Sequence, residues 1–320
     1  MNTIEVLPLK QDSSRLVWSV MIPTYNCSKY LQQTIQSVLI QDRGAGKMEI
    51  WVVDDCSTDN PEKIVNEFGN GRINFYKQQY NVGQLNNFST CLNLAKGIII
   101  HLLHGDDFVH NGFYQKLEAP LLADEEIGAA FTRNDIVDKD GNLVLVSDKL
   151  APSAGVFKNF LGVIGRKQVI QTPSIVVKRA VYEKLGAFNK DLTWLEDWEM
   201  WIRIASNYQF YYEPELLASY RIHDQSNTTE SLMTGRFVRD VLSCMKVYSE
   251  YLRLPGKEQT AMNNAARQHY LNYATIQARK RSSVVILLHS FPLVYNPGSF
   301  FRAAKEILRL SLKLVIKKIV

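Results

Sequence analysis

Three pairs of adjacent acidic residues have the composition and spacing to do chemistry in this sequence. The first pair directly follows an apolar run at residues 48–53, the second follows the run at 98–103 after His104 and Gly105, and the third lies between two tryptophans. Carboxylates bind divalent cations through oxygen, and they accept protons as general bases. The pairs are Asp54 and Asp55, Asp106 and Asp107, and Glu196 and Asp197.

Each acidic pair also has an ordinary structural explanation. Asp is common in the turns that follow strands, and an acidic pair at the start of a helix is stabilised by the helix dipole. The coincidence of three pairs in one chain favours a functional site over three separate turns.

The elements that position these pairs alternate between strand and helix. Residues 16–22, 48–53, 72–76 and 98–103 are short apolar runs typical of buried strands. Helical spacing follows the first three runs, with Asn26 or Ser28 as the expected N-cap of the first helix and Pro61 in the first turn of the second. This alternation predicts an α/β fold with a mostly parallel central sheet flanked by helices, and such sheets bind ligands beyond the carboxyl ends of their strands.

Phosphate binding in this sheet requires a counter-charge other than a glycine-rich loop. The chain contains neither the dinucleotide-binding fingerprint nor a Walker loop. A divalent cation held by carboxylates, with Asp106 and Asp107 as its minimal site, is the alternative.

Composition excludes several other classes of protein. The chain has 320 residues, 46% of them hydrophobic, and a net charge of +5, which fits a folded globular protein without a nucleic-acid partner. Its four cysteines form no CxxC pair, and no signal peptide or run of about twenty apolar residues occurs. We therefore expect a cytoplasmic protein with free thiols and no membrane-spanning segment.

Five segments taken in order resemble the inverting family 2 glycosyltransferases of the GT-A fold, of the bacterial surface-polysaccharide type. They are SVMIPTYNCSKYLQQTIQSVLIQ, EIWVVDDCSTD, NVGQLNNFSTCLNLAKG, IIIHLLHGDDF and WLEDWEMWIRIA, and the resemblance spans residues 16 to 228. It implies a hexosyl- or N-acetylhexosaminyl-transferase that moves a sugar from a nucleotide-sugar donor, UDP by the weight of the family, to a hydroxyl of a glycan or lipid-linked oligosaccharide. The product would belong to lipopolysaccharide, capsule or another surface polysaccharide.

The resemblance also implies roles for individual residues. Asp197 matches the base of the family's Glu-Asp motif, and Glu196 stands beside it to hold the acceptor or tune the base. A Mg2+ or Mn2+ ion would be held by Asp106, Asp107 and His223. The positions matching the donor site are Pro23, Thr24, Tyr25, Asp54, Asp55, Gly83, Asp106 and Arg221.

Several positions leave alternatives open. His104 stands where relatives often carry a carboxylate, so it either contacts the ribose or has no role. Tyr25 faces either the nucleotide or the following helix, and Arg221 either neutralises the diphosphate or forms a surface salt bridge. His101 is expected in the core, as is Trp201, whereas Trp194 or Trp198 would meet the acceptor.

The composition changes near residue 229, which predicts a glycosyltransferase domain at 1–228 and a helical region at 229–320. The latter ends in a basic amphipathic helix, which either lies on the inner face of an anionic membrane or packs on its own domain. Its apolar positions are Phe300, Ala304, Leu308, Leu312, Val315 and Ile319, and its basic positions are Arg302, Lys305, Arg309, Lys313 and Lys317.

Two other functions remain open. A sugar-nucleotide nucleotidyltransferase would also use a parallel sheet and carboxylates, but the chain has no glycine-rich basic loop near its beginning. The second alternative is a non-catalytic binding protein with the same fold, and the only feature that suggests it is His104 in place of a carboxylate.

Overall fold

The computed structural model describes residues 2–9, 15–223 and 227–319, and the side chains among these up to residue 312. Residues 224–226 and the side chains of the predicted helix positions Lys313, Val315, Lys317 and Ile319 lie outside the described part.

Ten strands of the described chain form one sheet. They are β1 (Trp18–Thr24), β2 (Met48–Asp54), β3 (Ile73–Lys77), β4 (Ile99–Leu102), β5 (Phe108–Val109), β6 (Ile127–Val137), β7 (Leu143–Val146), β8 (Gly155–Val156), β9 (Ile175–Lys178) and β10 (Gln209–Arg221).

The sheet is mixed, in the order β3-β2-β1-β4-β9-β6-β10-β5, with β7 on β6 and β8 on β10. The first four strands in this order pair parallel, as the strand and helix alternation predicts. Beyond β4 the pairing is antiparallel except between β6 and β10. The α/β class is confirmed, and the expectation of a mostly parallel sheet holds for the N-terminal half only, because β9 enters beside β4 in the opposite direction.

Twelve α-helices occur within the described residues. They are α1 (Ser28–Leu39), α2 (Pro61–Phe68), α3 (Gln84–Leu94), α4 (Phe113–Ala123), α5 (Phe160–Ile164), α6 (Arg179–Leu185), α7 (Glu196–Ala205), α8 (Asn227–Thr234), α9 (Arg236–Tyr251), α10 (Gly256–Arg281), α11 (Val284–His289) and α12 (Pro297–Ile319), with 3-10 turns at Thr172–Ser174 and Phe291–Leu293.

Helices cover both faces of β1, and all seven of its residues are buried. One core contains Ile35 of α1 and Val20 of β1, and a second contains Met21 of β1 and Leu92 of α3. Alternate β1 side chains therefore enter opposite cores, which explains the unbroken apolar run.

The expected side-chain cap of α1 is wrong. Cys27 is the N-cap and makes no capping hydrogen bond. Asn26 instead adopts a left-handed backbone at φ 50°, and its Oδ1 accepts from the Thr58 amide at 2.9 Å. The Asn26 side chain therefore joins the loop after β1 to the loop after β2.

The C-terminal region is helical, as expected. Helices α9 and α10 pack on α7, where the ring of Trp198 meets those of Tyr248 and Tyr270 edge-on. Each of the four cysteines, all in the described part, is a free thiol. Among residues 2–9, 15–223 and 227–319, no helix has the length and apolarity needed to cross a membrane.

Candidate active site

Three strand ends meet around Pro23 and Thr24 at the carboxyl edge of the sheet. The Pro23 carbonyl accepts from the Gly105 amide at 3.0 Å, and the Thr24 carbonyl accepts from the Asp55 amide at 2.9 Å. The backbone at the end of β1 therefore holds the loops that follow β2 and β4, and both acidic pairs lie at this edge.

Gly105 is required by the close approach of these loops. A Cβ at this position would lie 2.9 Å from both Thr24 Oγ1 and Cys27 Sγ. Those two atoms are themselves in contact at 2.8 Å. The glycine between His104 and Asp106 thus lets the β4 loop pack directly on the end of β1.

Asp54 and Asp55 are buried and bonded to the protein's own loops. Asp54 accepts from both the amide and the hydroxyl of Ser57. Asp55 accepts from the amides of Val82 and Gly83 at 2.7 and 3.0 Å, and burial raises its pKa. The pair organises the loops of the predicted donor site, where Tyr25 is the residue that projects outward, with 52% of its surface exposed.

The loop after β4 gathers a set of groups that fits a divalent cation. Ligand atoms of His104, Asp106 and Asp107 lie within 4.8 Å of one another, and His223 Nε2 lies 3.0 Å from Asp106 Oδ2. Two atoms of this cluster, His104 Nε2 and Asp107 Oδ2, are buried without a hydrogen-bond partner. Buried orphan acceptors beside an ionised carboxylate are a suitable environment for a cation.

The two neighbouring carboxylates have opposite pKa shifts. Burial and the charge of Asp106 raise the pKa of Asp107 well above its usual range. Burial also opposes ionisation of Asp106, but the hydrogen bond from His223 and the His104 ring outweigh it and lower its pKa. Burial lowers the pKa of His104, whose ring stacks on Phe88 at 5.3 Å.

The Arg221 side chain is bonded to other residues of the protein and does not face an open anion site. Its guanidinium is buried between the rings of Tyr30 and Phe108. It donates to the Asp106 carbonyl at 2.9 Å, to the Asp138 carbonyl and to Gln33 Oε1. This geometry argues against both the diphosphate contact and the surface salt bridge considered for Arg221, because its guanidinium is used to support the loop after β4.

The third acidic pair lies at the N-terminus of α7. Asp197 Oδ2 accepts from Gln168 Nε2 at 3.0 Å, and Oδ1 accepts from the Trp198 amide. Burial raises the pKa of Asp197 to about 7, despite both hydrogen bonds. Burial and the neighbouring Asp197 raise the pKa of Glu196 to about 8, and its Oε2 is buried without a partner.

Gln84 connects the acidic pair on α7 to the strand-end loops. Its Nε2 donates to Glu196 Oε1 at 2.8 Å, and its Oε1 accepts from Asn227 Nδ2 at 3.3 Å. The preceding residue, Gly83, is one of the two residues whose amides donate to Asp55. Two consecutive residues, Gly83 and Gln84, therefore join Asp55 of the predicted donor site to Glu196, the neighbour of the predicted base.

The tryptophans around this pair pack against other parts of the protein. Trp198 is buried and donates to the Ile164 carbonyl, and Trp201 is buried as expected. Trp194 stacks on Tyr273 of α10 and donates to Thr228, so it is half-buried among the C-terminal helices. His101 is also in the core as predicted, bonded to Tyr114 and to the Pro173 carbonyl.

Gln84 and Gln168 are site residues that were not predicted from the sequence. Gln84 lies within the quoted NVGQLNN segment, so a signal was present. Gln168 lies in a loop without periodicity or spacing, and only the folded chain brings it to Asp197.

A comparison with known protein families matches residues 19–186 to the model described as "Glycosyl transferase family 2". Among curated proteins, an uncharacterized glycosyltransferase of Methanocaldococcus jannaschii is 28% identical over 213 residues, which cover 65% of this chain and 72% of that protein.

Two solved structures share the fold. S. aureus TarS 1-349 in complex with UDP-GlcNAc superposes with a TM-score of 0.64 at 18% identity, covering 86% of this chain and 79% of that one. The mannosyltransferase PcManGT from Pyrobaculum calidifontis, in complex with GDP-Man and Mn2+, gives a TM-score of 0.59 at 17% identity and covers 96% and 89%. These likenesses confirm the predicted GT-A architecture.

Proposed function

Because this chain belongs to glycosyl transferase family 2, we propose that it transfers a sugar from a nucleotide-sugar donor to an acceptor hydroxyl with inversion, using Asp197 as the base. The predicted enzyme class, a glycosyltransferase, is confirmed by the family match. The observation that carries the finer proposal is the Glu196–Asp197 pair, held by glutamines beside the loops at the carboxyl edge of the sheet.

Asp197 is suited to take the proton of the acceptor hydroxyl. A general base is most effective when its pKa lies near the working pH, and burial raises the pKa of Asp197 to about 7. The Gln168 amide and the Trp198 amide fix the orientation of the carboxylate. As the Asp197 carboxylate takes the proton of the acceptor hydroxyl, the hydroxyl oxygen attacks the anomeric carbon of the donor sugar. The nucleoside diphosphate leaves from the opposite face of that carbon.

Glu196 acts as a neutral neighbour of the base. Burial and the charge of the neighbouring Asp197 raise its pKa to about 8, so the protonated form of Glu196 is favoured when Asp197 is ionised. One oxygen accepts from Gln84, and the other is buried with no hydrogen-bond partner among the described residues, which marks it as a polar atom that a bound acceptor would satisfy. We assign the two carboxyl groups different roles because their partners differ: Gln84 donates to Glu196, and Gln168 donates to Asp197.

A divalent cation would be held by Asp106, with Asp107, His104 and His223 beside it. The cation would neutralise the charge that develops on the leaving diphosphate. The two carboxylates suit both Mg2+ and Mn2+, and Mn2+ accompanies GDP-Man in the PcManGT complex. The role of His104 in this proposal is that of a cation ligand in the place of a carboxylate.

The donor and acceptor follow from family and comparison. UDP-GlcNAc in a TarS complex favours a UDP-sugar, and we extend this to transfer of a hexosyl or N-acetylhexosaminyl group. The acceptor would be a saccharide or lipid-linked oligosaccharide of a surface polysaccharide such as lipopolysaccharide or capsule, built on the cytoplasmic side of the membrane. Residues 1–228 would form the transferase domain and 229–320 its helical extension.

Asp197→Asn tests the proposal. The amide cannot accept the proton, so we expect transfer to fall by about 10²- to 10⁴-fold. Donor affinity, measured by calorimetry with a UDP-sugar and Mn2+, should change little. Asp191→Asn, an exposed carboxylate in the preceding loop, is the control and should leave both quantities unchanged. Turnover retained in Asp197→Asn would refute the assignment of the base, and release of pyrophosphate from a nucleoside triphosphate would favour a nucleotidyltransferase instead.

A further inference from the structure

Helix α12 has two apolar faces, and only one of them packs on the rest of the described chain. Ala303 and Leu310 are buried where α12 packs on α10 and α11. Phe301, Leu308 and Leu312 are exposed by 70%, 63% and 54%. Since Phe301 and Ala303 are two positions apart, their side chains project about 200° apart around the helix. The outer stripe (Phe301, Leu308 and Leu312) therefore lies opposite the packed face.

An exposed aromatic cluster extends the outer stripe toward α11. Phe300 contacts both Phe291 and Phe301, with ring centroids 5.7 Å apart in each pair. All three rings are exposed. A contiguous apolar patch on a surface marks a site of interaction with another apolar surface.

The outer stripe is bordered by positive charge. Arg302, Lys305 and Arg309 are exposed, and Lys305 lies one turn from both Phe301 and Leu308. The single acidic residue of the 297–319 sequence, Glu306, is paired with two arginines, Arg279 at 2.6 Å and Arg309 at 3.7 Å, so it neutralises at most one of these positive charges. The charge next to the apolar side chains is therefore cationic, and long basic side chains can keep their charges at the level of lipid headgroups.

We propose that the outer stripe, with its basic border, binds the surface of an anionic lipid bilayer. Apolar side chains on one convex helix face enter the interfacial region, while the adjacent cations pair with anionic headgroups. A second copy of the chain fits less well, because a twofold interface would bring the same basic row against itself. This proposal does not depend on the transfer reaction, so each can fail without the other.

The test is binding of the full chain to vesicles of phosphatidylcholine with and without phosphatidylglycerol. The wild-type protein should sediment with the anionic vesicles, and added salt should weaken its binding. Phe301→Ser with Leu308→Ser should weaken the partition coefficient by at least about tenfold. Lys305→Gln with Arg309→Gln should weaken it by about fivefold for each charge, on anionic vesicles only.

A matched control removes equally exposed leucines elsewhere. Leu143→Ser with Leu145→Ser alters two exposed side chains of β7 and should bind vesicles as the wild type does. All the substituted side chains are exposed, so thermal unfolding should be unchanged. The proposal is overturned if the wild type does not bind anionic vesicles, or if the Phe301 and Leu308 variant binds as well as the wild type. It is equally overturned if light scattering finds a dimer that this variant dissociates while no vesicle binding occurs.

Discussion

Replacing Gln168 by Leu should raise the pH at which the enzyme becomes active. Gln168 Nε2 donates to Asp197 Oδ2 at 3.0 Å, and its own Oε1 accepts from the Ile170 amide at 3.3 Å. This second contact turns the NH2 group toward the carboxylate. A hydrogen bond to the charged form favours ionisation, so its loss should raise the pKa of Asp197.

The size of the shift follows from the energy of the lost bond. A hydrogen bond to a charged group contributes about 1.5–3 kcal/mol, which corresponds to about one to two pKa units. Starting from a pKa of about 7, the ionised fraction at neutral pH would fall from about a half to between a tenth and a hundredth. We therefore expect kcat/KM at pH 7 to fall by about five- to fiftyfold, with most of the loss recovered near pH 9.5.

The assay is the pH dependence of kcat/KM for the wild type and for Gln168→Leu. Gln209→Leu is the matched control, because Gln209 also donates to a carboxylate, that of Glu126, on an exposed surface. Its profile should match the wild type. A loss of activity in Gln168→Leu that is uniform across pH would show that Gln168 only supports the fold, and an unmoved acidic limb would contradict the assignment of Asp197 as the base.

Three further outcomes are expected. Asp106→Asn should abolish the rise in melting temperature that Mn2+ with UDP gives the wild type in a thermal-shift assay. A ligand that binds the folded state stabilises it by about 2.7 kcal/mol at a hundredfold excess over Kd. An undiminished rise in the variant would exclude Asp106 from the metal site. Glu196 has a folded-state pKa of about 8 against a usual 4.5. The folded protein therefore binds a proton at Glu196 more tightly than the unfolded chain does, and the free energy of unfolding decreases as pH rises from 4.5 to 8. Glu196→Gln should therefore increase the free energy of unfolding by about 2–4 kcal/mol at pH 9 and little at pH 5, measured by denaturant titration. Gly105→Ala should lower the free energy of unfolding by about 1–3 kcal/mol, because the new Cβ would lie 2.9 Å from atoms of Thr24 and Cys27. The control Gly46→Ala, whose Cβ would have no neighbour within 4 Å, should leave the free energy of unfolding unchanged in the same titration.

The elements of the N-terminal half could be predicted from local sequence patterns. Buried strands in a parallel sheet are continuous apolar runs, and helices are apolar at every third or fourth position, so both patterns are visible among neighbours in the chain. The ends of β2 and β4, with their acidic pairs, were predicted to within a residue. The family resemblance was also carried by local segments, and the match over residues 19–186 confirms it.

The direction of β9 and β6 could not be predicted in this way. Their apolar runs are similar to those of parallel strands, and pairing direction depends on the path of the chain between them. The role of Arg221 could not be predicted from the sequence either. A lone arginine in sequence does not reveal that its guanidinium will lie between Tyr30 and Phe108 and bond to three acceptors distant along the chain.

The chemistry of the acidic pairs shows the same division. Residue type determined that Asp197 can accept a proton, but its pKa depends on burial and on Gln168, which lies 29 positions earlier in the chain. Likewise, the spacing of apolar residues determined that α12 is amphipathic, whereas packing in the folded chain turned Ala303 and Leu310 toward the protein and Phe301 outward. Periodicity is a property of neighbours in sequence, while burial, pKa and pairing are properties of neighbours in space.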